Sequence, residues 1–250
     1  MRERNFLEEK DAVVAAEEQE HLRRETDRKF LVKCSFALVF ICVLLFAVIS
    51  TPAIIKSPQK TNMTNAISNS KQIYLVLMDF ENDYGKFSDD ETAAMEYYLN
   101  TWRGPHANDY LGQLIAGGFT KSEDIFYAYD NRFSKKKPDN EISPQSEILQ
   151  KGECGFSYVL VEEKGKVRGL STSDNGGIPI LATPLVDTSG ACEAKSHDWR
   201  GVYLRVDGSA RSEQLNSDSK IRVGPQTLFD TGTDTVWGTE LRPVILLPER

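Results

Sequence analysis

The sequence predicts an α+β protein: an N-terminal transmembrane helix followed by a domain in which helices pack on an antiparallel sheet. Three observations predict it. Residues 34–55 carry no charged side chain. Residues 66–81 repeat apolar side chains at helical spacing. Beyond Cys154 the texture changes to short alternating runs broken by Gly, Asp and Pro. Helices first and strands later favour an antiparallel sheet over alternating βαβ units.

The apolar run "CSFALVFICVLLFAVISTPAII" comes first in the argument. At ~1.5 Å per residue it makes a helix about 33 Å long, enough to cross a hydrocarbon core of ~30 Å. A buried core helix of that length would carry a polar edge. A cleaved secretory signal would have an apolar stretch of ~7–15 residues behind a short basic start. Here the preceding tail spans residues 1–33 and the run is longer, so an uncleaved anchor is expected. Arg23, Arg24, Arg28, Lys29 and Lys33 crowd its N-terminal side, against Lys56 and Lys60 on the other. The positive-inside rule then places the N-terminus in the cytoplasm. The expected organisation is a charged helical cytoplasmic tail (1–33), a transmembrane helix (34–55), a linker (56–68) and an exported domain (69–250). In the tail, Glu20 with Arg24 and Glu25 with Lys29 have the i,i+4 spacing of helical ion pairs. A docking helix and a solvated tail that sets topology are both compatible with it.

The net charge is −7. Neither the mildly acidic exported part nor the membrane-facing basic residues give an electrostatic reason to bind nucleic acid.

In the exported part, Ala66, Ile67, Ile73, Tyr74, Leu77 and Met78 mark an amphipathic helix stopped by "NDYG". A second helix is expected in "DDETAAMEYYLN", with Asp89 or Asp90 as its N-cap. A third lies in "NDYLGQLIAGG", capped by Asn108 and ended by Gly117 and Gly118. "DIFYAYD" reads as extended, and "NRFSKKKPDNEISP" as a solvated loop. "GFSYVLVEEKGKVRGLS" reads as a hairpin and "GGIPILATPLV" as a strand. "WRGVYLRVDGSARSEQL" is the clearest hairpin, with Asp207-Gly208 at the turn. Its Val202, Leu204 and Val206 should face the helix carrying Ile73, Leu77 and Phe80, leaving Tyr203 and Arg205 on the solvent face. Cys154 and Cys192, the two exported cysteines, are expected to form a disulfide. Neither belongs to a C-x-x-C pair, which disfavours a metal site.

Two stretches carry a family resemblance. "SNSKQIYLVLMDFENDYGKF" resembles the helix that follows the apolar spine of bacterial pilin-like proteins, matching at Asn69, Gln72, Ile73, Leu77, Gly85 and Phe87. "HDWRGVYLRVDG" resembles the H-x9-DG signature of prepilin-type proteins, with His197, Asp207 and Gly208 as the signature residues. The chain departs from that family at its anchor. It has no Gly-Phe cleavage site and no Glu within the apolar run, so prepilin peptidase should not process it. The resemblance implies a pilin-like domain on a permanent anchor, related to the pseudopilins of type II secretion-like systems. It implies a structural or assembly role at the bacterial inner membrane, with the domain on the periplasmic side. Other envelope, pilus or secretion-type proteins, or a second copy of the chain, would be its partners.

No catalytic constellation accompanies the signature. His21, His106 and His197 are the only histidines, and no G-x-S-x-G elbow is present. His197 is read as a surface or hairpin-edge residue and Asp207 as a turn former. Some pseudopilins resembling this chain bind calcium in a C-terminal loop. Asp230 and Asp234 lie in such a position, but without D-x-D-x-D-G spacing. No cofactor and no enzymatic activity are expected. The alternatives are a membrane-tethered hydrolase using His197 with acidic partners, and a ligand-sensing receptor domain.

Overall fold

The computed structural model describes residues 38–43, 45, 46, 58–129 and 131–250. Two units result, Met1–Ile55 and Lys56–Arg250. In the first, residues 38–43, 45 and 46 are helical and exposed. The cytoplasmic tail and most of the predicted anchor lie outside the described residues. Among the described residues no helix is long and apolar enough to cross a membrane.

The second unit is α+β with an antiparallel sheet. Its first helix, α1, is described over residues 58–84. It ends at Gly85, which takes φ +79° and donates its N–H to Glu81 O at 2.7 Å. The segment expected as a linker, 56–68, is thus helical from 58 onward. It contains no glycine, and Ala66 and Met63 already pack into the core. Ala66, Ser70, Ile73, Leu77 and Phe80 form the buried stripe, at the spacing of one helix face.

Helix α2 (Asp90–Met95) is capped by Asp89, whose carboxylate accepts the Thr92 N–H at 2.7 Å. It is shorter than its sequence suggests, and Tyr97 beyond it is exposed. Helix α3 (Ala107–Ala116) buries Tyr110, Leu111, Leu114 and Ile115. Its N-cap is His106, not Asn108. Asn108 turns inward instead. It donates to Leu149 O at 2.7 Å and accepts the Glu249 N–H at 2.8 Å. The expected strand "DIFYAYD" is replaced by a single 3₁₀ turn, Asp124–Phe126. Asn69 of α1 donates to the carbonyls of Asp124 and Tyr127, which fixes that backbone away from any ladder.

The strands are β1 (Ser157–Glu163), β2 (Lys166–Arg168), β3 (Pro179–Thr183), β4 (Arg200–Arg205), β5 (Ala210–Gln214), β6 (Arg222–Val223), β7 (Gln226–Thr227) and β8 (Leu241–Leu246). β8 runs along one edge of β1, while β2 and β3 share the other. β4 follows β3, and β5 closes the sheet. Two of the expected hairpins form as read. β1 turns into β2 through Lys164 and Gly165, both at positive φ, and β4 into β5 through Asp207-Gly208.

Register sorts the two faces. Tyr158, Leu181, Leu204 and Ala210 stand in one cross-strand row. This row, with Val202 and Val206, shares a core with Ile73, Leu77 and Phe80 of α1, as the sequence predicts. The neighbouring row is Ser157, Ala182, Tyr203 and Arg211. That face is not left to solvent. Ile221 and Leu228 cover it in a second cluster with Ala182 and Tyr203. Gly201 is required there, because a Cβ would lie 2.3 Å from the Ile221 side chain. Arg205 is correspondingly half-buried and donates to Gly177 O at 3.1 Å.

These positions order three substitutions in residues 56–250. Leu204→Ala removes a fully buried side chain and should cost about 2–5 kcal/mol. Arg205→Ala should cost about 1 kcal/mol or less. His197→Ala, at a position with no exposed surface, should cost about 1–3 kcal/mol. Denaturant melts measure all three, and a larger loss for Arg205→Ala than for Leu204→Ala would contradict the assignment of faces.

Candidate functional site

The signature residues occupy the two ends of β4. Asp207 and Gly208 form the turn after it. Asp207 Oδ1 accepts the N–H and the hydroxyl of Ser209 at 2.9 and 2.5 Å. Partial burial disfavours the charged form, but these bonds and the charges of Arg205 and Arg211 hold the Asp207 carboxyl below its ordinary value. Gly208 takes φ +77°, and a Cβ on it would lie 2.6 Å from the Tyr74 ring. The Tyr74 hydroxyl donates to Val206 O at 3.0 Å. The turn is therefore docked on α1 through one tyrosine.

His197 lies before β4 and is fully buried, not at a surface edge. Asp198 and Trp199, which follow it, both take positive φ, +52° and +61°. Six extended residues of β4 separate the histidine from the aspartate, a span of about 20 Å. The structure therefore does not bring His197 and Asp207 together. Of the other family positions, Asn69 holds the 3₁₀ turn, Gly85 ends α1, and Gln72 is exposed.

The expected disulfide is not formed: Cys154 and Cys192 are free, buried thiols. Cys154 belongs to the core shared with α1, and Cys192 to the cluster behind the other face. The sheet separates the two clusters, so the two sulfurs are not within bonding reach of each other. Burial pushes both thiols up to about 12.

Asp230 accepts the Thr227 N–H at 2.7 Å and belongs to no group of side chains that could hold a cation among the described residues. Together with Asp234 it lines a cleft of about 310 Å³ over Tyr203 that also presents Arg205, Arg211 and Arg222. The walls thus carry both signs of charge.

One acidic cluster escaped the sequence reading. Glu123, Asp139 and Glu153 bring carboxylate oxygens within 4.8 Å of one another. Lys136 supplies their cation, at 2.8 Å from Glu153 and 3.0 Å from Asp139. Glu123 also accepts the N–H groups of Asn140 and Leu149. Burial pushes the Glu123 carboxyl up, with Glu153 adding to the effect. The cluster ties the loop between α3 and β1 together. Its residues are scattered over 123–153, so no local spacing announces it.

Compared with protein-family models, curated proteins and solved structures, the chain matches none.

Two predictions come from this geometry. Gly208→Ala should destabilise residues 56–250 by more than about 1 kcal/mol, since the alanine is strained at this φ and meets the Tyr74 ring. Tyr74→Phe should cost about 0.5–1.5 kcal/mol, the worth of one hydrogen bond. Thermal melts of both variants check this, and a neutral Gly208→Ala would show that the turn is not held by α1. Thiol counting on the same fragment, denatured without reductant, should find both Cys154 and Cys192 reactive, and neither reactive in the native state. A fragment with no titratable thiol after denaturation would restore the disulfide.

Proposed function

We propose that this chain is a membrane-anchored, extracytoplasmic pilin-like protein with a structural or assembly role at the bacterial envelope. The observation that carries the reading is the docking of the Asp207-Gly208 turn on α1. The residues that resemble a family signature do architectural work: they fix a hairpin to the long helix α1. The long helix laid across an antiparallel sheet supports the same reading. The separation of His197 from Asp207 also fits a structural rather than a catalytic use of the signature residues. In this proposal residues 34–55 anchor the chain and residues 1–33 stay in the cytoplasm. Contacts with other envelope proteins, or with a second copy, run over the exposed side of α1, where Leu75 is 65 % exposed.

Two measurements on the full chain in bacterial membranes test this. It should resist carbonate extraction, with an intact mass that retains residues 1–33. A photo-crosslinker placed at Leu75 should capture an envelope protein or a second copy, and one placed at buried Leu77 should capture neither. A soluble product beginning near Ser57, or equal crosslinking from both positions, would sink the proposal.

A further inference from the structure

The loop 131–137, which reads as solvated, forms one wall of a second cleft, of about 420 Å³. Arg132, Lys135, Lys136, Lys151 and Arg250 line it, with Phe133 and Gly152. No acidic residue lines it, although the chain as a whole has a net charge of −7. Among the described residues Arg132, Lys135, Lys151 and Arg250 make no ion pair. Only Lys136 is committed, to Asp139 and Glu153.

The cleft is built before any ligand arrives. Phe133 is buried, and the Arg250 and Arg132 guanidinium carbons lie 4.8 and 6.0 Å from its ring centroid. Guanidinium groups stacked on an aromatic face keep their edge donors free. Asn131 fixes the loop from below. It donates to Gly155 O at 2.7 Å and to Thr183 Oγ1 at 2.9 Å, and accepts the Phe133 N–H at 2.9 Å. The loop is joined to the opposite wall by Lys136 N–H to Gly152 O at 3.1 Å, and that wall to the chain's last residues by Gly152 N–H to Glu249 O at 3.2 Å. Like charges held this close repel one another unless an anion joins them. Several cationic donors on fixed walls suit a multi-oxygen dianion better than a single carboxylate.

We propose that this cleft binds a phosphate-bearing small anion, with Arg132, Lys135 and Lys151 as its principal donors. The phosphate is free or belongs to a lipid headgroup, and the chemistry at the cleft is the same. The site is independent of the assembly role proposed above.

The test is calorimetric titration of the full chain in a non-ionic detergent at low, constant ionic strength. The probes are inorganic phosphate, pyrophosphate, glycerol phosphate as a headgroup mimic, and acetate. Saturable binding of the phosphate probes, with acetate at least tenfold weaker, is expected. Tighter binding of glycerol phosphate than of inorganic phosphate points to a headgroup, and the reverse to a free anion. The combined variant Arg132→Gln, Lys135→Gln, Lys151→Gln should lose at least tenfold in affinity while melting as the parent does. The variant Arg211→Gln, Arg222→Gln, in the mixed-charge cleft, should bind as the parent does. Absence of saturable binding, acetate binding as well as phosphate, or retained affinity in the triple variant would overturn the proposal. If the triple variant does not fold, Lys151→Gln alone decides, with at least a threefold loss expected and unchanged affinity overturning it.

Discussion

The apolar stripe of α1 is the constraint on which the rest of the Lys56–Arg250 unit depends. Ile73, Leu77 and Phe80 each lose all contact with water, and each such burial stabilises by about 1.5–3 kcal/mol. Only a sheet face with large side chains in register can supply that contact, and the row Tyr158, Leu181, Leu204 does so. Once α1 lies there, its polar flank reaches three separate loops. Asn69 holds the 3₁₀ turn, and Tyr74 holds the β4–β5 turn. Glu81 accepts the N–H and the hydroxyl of Thr172 at 2.8 and 3.0 Å. One helix therefore provides both the buried area and the polar ties that fix loop positions.

Burial on the second face explains features that one-sided packing would not. The β1 and β3 sequences, "SYVLVEE" and "PILAT", contain continuous apolar runs, the pattern of strands covered on both sides. The covering segment comes from beyond β5. Trp237 is fully buried and donates its indole N–H to Leu228 O at 3.0 Å, which closes the C-terminal loops over Tyr203. With both faces occupied, Cys154 and Cys192 end in separate clusters as free thiols.

Elements whose formation is decided by local chemistry were legible in the sequence. The α1 periodicity, a cap at Asp89 or Asp90, the Lys164-Gly165 and Asp207-Gly208 turns and the facing of Leu204 all follow from spacing and φ preference. What could not be read depends on distant partners. Asn108 looks like a cap, but it serves backbone groups at Leu149 and Glu249. "DIFYAYD" has strand composition, but Asn69 takes its carbonyls. His197 reads as an edge residue because a lone histidine carries no burial signal of its own. The α+β class was legible for the same reason as the hairpins. The clefts were not, because each draws its walls from segments far apart in the chain.

The basic loop shows why a charge run cannot be judged from its own residues. "SKKKPDNE" reads as a solvated face because it is densely charged and contains Pro138. In the fold it is divided by a buried partner. Glu153, which has no exposed surface, pairs with Lys136, while Lys135 and Arg132 line the cleft beside it with no ion pair among the described residues. The carboxylates of Glu123, Asp139 and Glu153 thus gather in one cluster with Lys136, while every charged side chain lining the cleft is cationic. Separating the signs in this way has an electrostatic cost on the cationic side, which water and counter-ions meet in the free protein and a bound anion would meet with fixed geometry. A loop that served only as a solvated connection would have no need of Asn131 beneath it or of a phenylalanine under the guanidinium groups of Arg132 and Arg250.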